Sequence, residues 1–102
     1  MSAAPIACSL GASERVARGR EWDALLRSAL LERRPTSRGA RLRFARDDAV
    51  AAALERLVAA ERECCPFLEL ELSRARGELV LEASGPPEAV PVIEELFAPR
   101  RA

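Results

Sequence analysis

The stretch from Phe67 to Ala83 leaves the backbone little choice. Residues 67–73 read Phe-Leu-Glu-Leu-Glu-Leu-Ser, so Leu68, Leu70 and Leu72 point one way and Glu69 and Glu71 the other. Strand side chains alternate between two faces, and a helical period cannot sort this pattern. Residues 74–77, Arg-Ala-Arg-Gly, make a turn, and residues 78–83 return with Leu79, Leu81 and Ala83 on the apolar side. The two arms predict a β-hairpin with one dry and one wet face. Val80 and Phe67 interrupt the polarity of the wet side. The dry face must be covered, and the rest of the chain has to supply the cover.

Helical patterns flank the hairpin. From Glu14 to about Arg33, the residues Trp22, Leu25, Leu26, Ala29 and Leu30 recur at helical spacing. Ser13 is its expected N-cap, Glu14 suits the first turn, and Pro35 helps to stop the helix. Residues 35–40 then read as a loop, and Arg41-Leu-Arg-Phe-Ala reads as a strand with Leu42 and Phe44 inward. Asp47 or Asp48 caps a second helix that runs to about Glu63. After Gly85-Pro-Pro a last helix begins, with Pro91 in its first turn and a stripe of Val90, Ile93, Leu96 and Phe97. Near the start, Ile6, Cys8 and Leu10 share one face of a short strand over residues 5–10 that Gly11 ends. The expected order is β-α-β-α-β-β-α. It predicts an α+β fold: a two-layer sandwich, with a small, mostly antiparallel sheet and helices on one face.

A chain of 102 residues fits one domain, 1–102, with an ordered core at about 5–98. Aromatic residues are only 4% of the chain, so Leu, Val, Ala and Ile must build the core. The 16 basic and 16 acidic residues cancel, which argues against nucleic acid as a partner. No apolar run reaches the roughly 18 residues of a membrane span, and the N-terminal residues lack the basic start of a secretory signal. The expected location is therefore cytoplasmic. Three cysteines are an odd count for a disulfide framework, and a reducing cytosol would keep them as thiols.

The second helix carries the chemical signal. Its apolar stripe is Val50, Ala53, Leu54, Leu57 and Val58, and the same spacing then lands on Glu61, Cys64 and Cys65. A carboxylate thus falls where an apolar residue is expected. Burying it demands a partner or a raised pKa, and Arg15, Arg18 or the thiols themselves are the partners on offer. Pro66 disfavours helical geometry at Cys65 and ends the helix there. A helix C-terminus and nearby acids disfavour thiolate, and the chain holds no His to serve as a base. Catalysis by an activated cysteine is therefore disfavoured. Coordination to a metal deprotonates a thiol whatever its resting pKa. Cys64 and Cys65, with Cys8 as a third sulfur and Glu61 beside them, form a ligand set for a soft ion such as Hg(II), As(III) or Cu(I). Zinc ranks lower, because the paired C-x-x-C or His spacing of structural zinc sites is absent.

The blocks Ala7-Cys8-Ser9-Leu10 and Glu61-Arg-Glu-Cys64-Cys65-Pro-Phe67-Leu, followed by an alternating hairpin, carry a resemblance. The chain resembles a small bacterial family with a C-S/T-L and E-x-x-C-C-x-F motif. Its members stand alone or are fused to mercury-resistance-type, MerR-like heavy-metal regulators. The resemblance spans about residues 6–98. It implies a soft-metal context and points to Cys8, Cys64, Cys65 and Glu61 as the site. No DNA-binding module precedes Cys8 in this sequence, so a direct transcriptional role is not expected. The paired-cysteine-plus-aspartate arrangement of an organomercurial lyase is also absent.

Three functions remain open at this point. The first is a small thiol-based module that binds a soft metal or metalloid ion. The second is a thiol redox enzyme using Cys64 or Cys65, with Cys8 the better disulfide partner because adjacent cysteines close only a strained ring. The third is a structural or interaction domain with the cysteines as core filler. A homodimer would bring cysteines of two chains together.

Overall fold

The structure, a computed structural model, describes residues 12–97. Helix α1 spans Ala12–Ala29, strand β1 Leu30–Thr36, β2 Gly39–Ala45, α2 Asp48–Cys64, β3 Glu69–Ala75 and β4 Glu78–Ser84. A 3-10 turn at Pro87–Ala89 leads into α3, Val90–Leu96. The four strands form one sheet in the order β1-β2-β4-β3, and every neighbouring pair is antiparallel. The fold is α+β.

The hairpin forms where the alternation demands it. Leu70 lies opposite Ala83 and Leu72 opposite Leu81, so the apolar residues of both arms share a face. Arg76 and Gly77 close the turn with φ of +54° and +75°. Two left-handed residues match the right-handed twist of a hairpin, and Arg is a poor choice for the first. Replacing Arg76 with Asn should stabilise the protein by about 0.5–1 kcal/mol, since the residue is exposed and the change acts on backbone strain alone. Urea unfolding measures it, and an unchanged or lower midpoint would contradict the strain.

Ala40, Leu42 and Phe44 of β2, Leu79, Leu81 and Ala83 of β4 and Leu70 of β3 are buried on the dry face. The helices bury Trp22, Leu25, Leu26 and Ala29 of α1, Leu54, Leu57 and Val58 of α2, and Ile93 of α3 in the same cluster. Phe97, just past α3, meets the edge of the Trp22 ring with centroids 4.9 Å apart. Such edge-to-face pairs add to simple burial. Gly39 is needed at the start of β2, because a Cβ there would lie 2.0 Å from the Ala83 carbonyl oxygen.

The other face of the sheet is polar and self-neutralised. Arg43 bridges Glu32 of β1 and Glu78 of β4. The hydrogen bond from Arg43, followed by the charge of Arg34, holds the Glu32 carboxyl below its usual pKa. Val80 is buried on this face, between Arg43 and Ser73 in the register. At the β3 edge, Arg62 of α2 donates to the Leu70 carbonyl and occupies an acceptor that another strand could use.

Two expectations need correction. Helix α1 stops at Ala29, and residues 30–36, expected as helix end and loop, form strand β1. This strand lies at the sheet edge, where Pro35 is tolerated because no ladder bond needs its missing N–H. Its register shifts between Leu30 and Glu32, which breaks the alternation that would have announced a strand. The order among the described residues is accordingly α-β-β-α-β-β-α, with α1 first. The strand expected over residues 5–10 lies outside the described residues.

Candidate metal centre

The centre begins with the phase of α2. Asp47 caps this helix, its carboxylate accepting from the Ala49 and Val50 amides at 2.8 and 3.2 Å. From that start the core-facing stripe runs through Leu54, Leu57 and Val58 to Glu61 and Cys64. The Cys65 amide still donates to the Glu61 carbonyl at 2.7 Å, but Cys65 itself has left the helix, with φ −128° and ψ 72°. Pro66 imposes that exit. The Cys65 carbonyl then accepts from the Leu68 amide at 3.0 Å, which turns the chain into β3. One helix end thus holds Glu61 and Cys64, and the first residue beyond it adds Cys65.

Glu61 is 2% exposed, the single charged residue buried among the described residues. Its two carboxylate oxygens have separate surroundings. Oε2 accepts from the Trp22 indole Nε1 at 2.8 Å and from Arg18 Nη1 at 3.1 Å. Oε1 faces the sulfurs, with the Cys65 thiol 3.4 Å away and the Cys64 thiol 3.8 Å away. The two sulfurs are 3.7 Å apart, and Arg18 Nη1 is also 3.7 Å from Cys64 Sγ. Arg18 and Trp22 are one helical turn apart on α1, so a single helix face anchors the carboxylate. Burial works against the Arg18 charge, but hydrogen bonding and charge from Glu61 and Cys64 outweigh it and raise its pKa.

One oxygen of Glu61 and the sulfurs of Cys64 and Cys65 all lie within 4.8 Å of one another, close enough to hold a metal ion. The 3.7 Å between the sulfurs is close to the spacing of about 3.8 Å for two thiolates held tetrahedrally at about 2.3 Å from one ion. At 3.7 Å the two sulfurs are too far apart to be disulfide-bonded to each other. The tether through Oε2 fixes the carboxylate and keeps Oε1 aimed at the sulfurs, as supporting hydrogen bonds do around metal ligands.

The structure therefore brings three of the four expected ligands together, whereas Cys8 lies outside the described residues. Of the two arginines offered as partners, Arg18 reaches Glu61 and Arg15 is exposed. Glu63 is exposed too. The helical spacing puts Trp22 on an apolar stripe and does not by itself mark it as a donor. A signal existed, because a buried indole N–H needs an acceptor and Glu61 needed donors. A groove on the open sheet face, with Arg41, Arg62, Glu71, Ser73, Val80 and Glu82 in its lining, has no thiol among the residues that line it.

No helix among the described residues is long and apolar enough to cross a membrane. No family model, curated protein or solved structure matches the chain.

Proposed function

We propose that the protein is a small thiol-based module that binds a soft metal or metalloid ion through Cys64, Cys65 and Glu61, with Cys8 as a third thiolate. The observation that carries this reading is the buried carboxylate whose Oε1 is turned to two thiols while Oε2 is tied down. A core filled with cysteine as a small hydrophobe has no need of a charged residue there, and burying one is costly. Sulfur donors favour Hg(II), As(III) and Cu(I) over harder ions. The resemblance to the E-x-x-C-C-x-F family points the same way, toward heavy-metal handling in the cytoplasm.

Ultraviolet titration of the reduced protein with Hg(II) and with As(III) tests the reading. Sulfur-to-metal charge-transfer absorption should saturate at one ion per chain, and it should weaken in Cys8→Ser if Cys8 is a ligand. Saturation that Cys8→Ser leaves unchanged confines the site to Cys64, Cys65 and Glu61. No specific absorption in either protein removes the binding function. A thiol redox function has one observation in its favour, the Arg18 guanidinium 3.7 Å from Cys64 Sγ. Slow alkylation of every thiol at neutral pH would count against it.

A further inference from the structure

We propose that the protein pairs with a second copy of itself through the open face of its sheet, the two faces stacked about a twofold axis parallel to the strands. The charges of this face are sorted rather than mixed. One row across the four strands reads Arg34, Arg41, Glu82, Glu71, each directly opposite the next. All four residues are exposed. The row therefore sets Arg34 beside Arg41 and Glu71 beside Glu82, and like charges directly opposite one another on a sheet are destabilising. Its attractive neighbours are Arg41 and Glu82, 4.0 Å apart, while Arg34 also meets Glu32 along its own strand at 3.3 Å. The same division extends beyond the row. Arg38 and Arg43 lie on the β1–β2 side, Glu69 and Glu78 on the β4–β3 side, and Glu32 is the exception.

A face divided in this way is complementary to itself. A twofold axis along the strands, between β2 and β4, lays the row over its own reversal. Arg34 of one copy then faces Glu71 of the other, and Arg41 faces Glu82, twice over. The row of Glu32, Arg43, Val80 and Ser73 stacks without setting like charges together. A twofold axis across the strands would lay each strand on itself and arginine on arginine, so charge selects between the two arrangements. Four strands of seven residues, at a spacing of about 4.8 Å and a rise of about 3.4 Å, present about 450 Å² to a partner. The total of about 900 Å² falls below the roughly 1,200 Å² at which stable complexes begin, so the dimer is weak and sensitive to salt. Helices α1 and α2, which hold Glu61, Cys64 and Cys65, pack on the opposite face. Pairing through the open face therefore leaves each centre within its own chain, and dimerisation is independent of ion binding.

Sedimentation of the full-length, reduced protein tests the pairing. At low salt the wild type should pass from monomer to dimer mass below about 1 mM, the weak end of the affinity scale. Raising the salt to about 1 M, where screening acts within about 3 Å, should weaken the dimer by about tenfold or more. Two charge reversals then locate the interface: Glu71→Arg/Glu82→Arg makes the row wholly positive, and Arg34→Glu/Arg41→Glu makes it wholly negative. Each alone should be monomeric, and an equimolar mixture should form a one-to-one heterodimer. Melting curves identify folded variants, and the single changes Glu82→Arg and Arg41→Glu replace a double reversal that does not fold. A wild type that stays monomeric at about 1 mM and low salt overturns the proposal. So does a dimer that survives both reversals, which places the contact elsewhere. A wild-type dimer broken by each reversal but not restored in the mixture also overturns it, because the halves then do not face each other.

Discussion

Replacing Trp22 with Ala should lower the unfolding free energy by about 3–5 kcal/mol, the largest loss expected from any single side chain of α1. Trp22 is fully buried, contacts the edge of Phe97, and sits in the cluster formed by the helices and the sheet. Truncation removes that packing and leaves Glu61 Oε2 without its shortest hydrogen bond. The two contributions can be separated. Trp22→Phe keeps an aromatic ring and removes the N–H, so its expected cost is about 1–3 kcal/mol. For a chain of this length each kcal/mol moves the melting temperature by roughly 4–8 °C. Thermal unfolding followed by circular dichroism resolves both values. A Phe variant as stable as wild type would mean that the indole does not support Glu61, and the account of the centre as an anchored carboxylate would fall.

The second large effect concerns binding. The double variant Cys64→Ser/Cys65→Ser should lose soft-ion affinity by about a hundredfold or more, because hydroxyls are hard, weakly acidic donors. Stability reports the same loss. A ligand at about a hundred times its dissociation constant stabilises the folded state by about 2.7 kcal/mol. Saturating Hg(II) or Cd(II) should therefore raise the wild-type melting temperature by about 10–20 °C, and the double variant should show no such rise. Two buried hydroxyls can still use Glu61 Oε1, so the variant without metal should remain folded. Full retention of binding by the double variant would move the site away from α2 altogether. A large loss of stability without any wild-type response to metal would instead mark the cysteines as core.

Helix α2 shows how far a local pattern can carry an inference. Val50, Leu54, Leu57 and Val58 define a stripe, and its continuation through Glu61 to Cys64 follows from helical geometry alone. Pro66 makes Cys65 the exit from the helix, and the observed backbone there is non-helical. That a carboxylate on this stripe must find partners is also a matter of elementary solvation. Strand β1 marks the opposite case. Its residues Leu30-Leu-Glu-Arg-Arg-Pro-Thr lack alternation and include a proline, so intrinsic preference says helix end and loop. The strand exists because β2 offers a free edge whose hydrogen bonds it satisfies.

Local order in the chain determined the hairpin of β3 and β4, the span and stripe of α2, and the grouping of Glu61 with Cys64 and Cys65. Each depends on residues a few positions apart, where backbone geometry fixes which side chains meet. The tertiary structure alone decided that Arg18 rather than Arg15 pairs with Glu61, and that Trp22 is a donor as well as a core ring. It also decided that one carboxylate oxygen is held while the other is left facing the sulfurs. The contacts of Arg18 and Trp22 with Glu61 cross 43 and 39 residues of chain, and they are set by how α1 docks on α2. That docking is a collective result of packing against a shared sheet, which no single segment specifies.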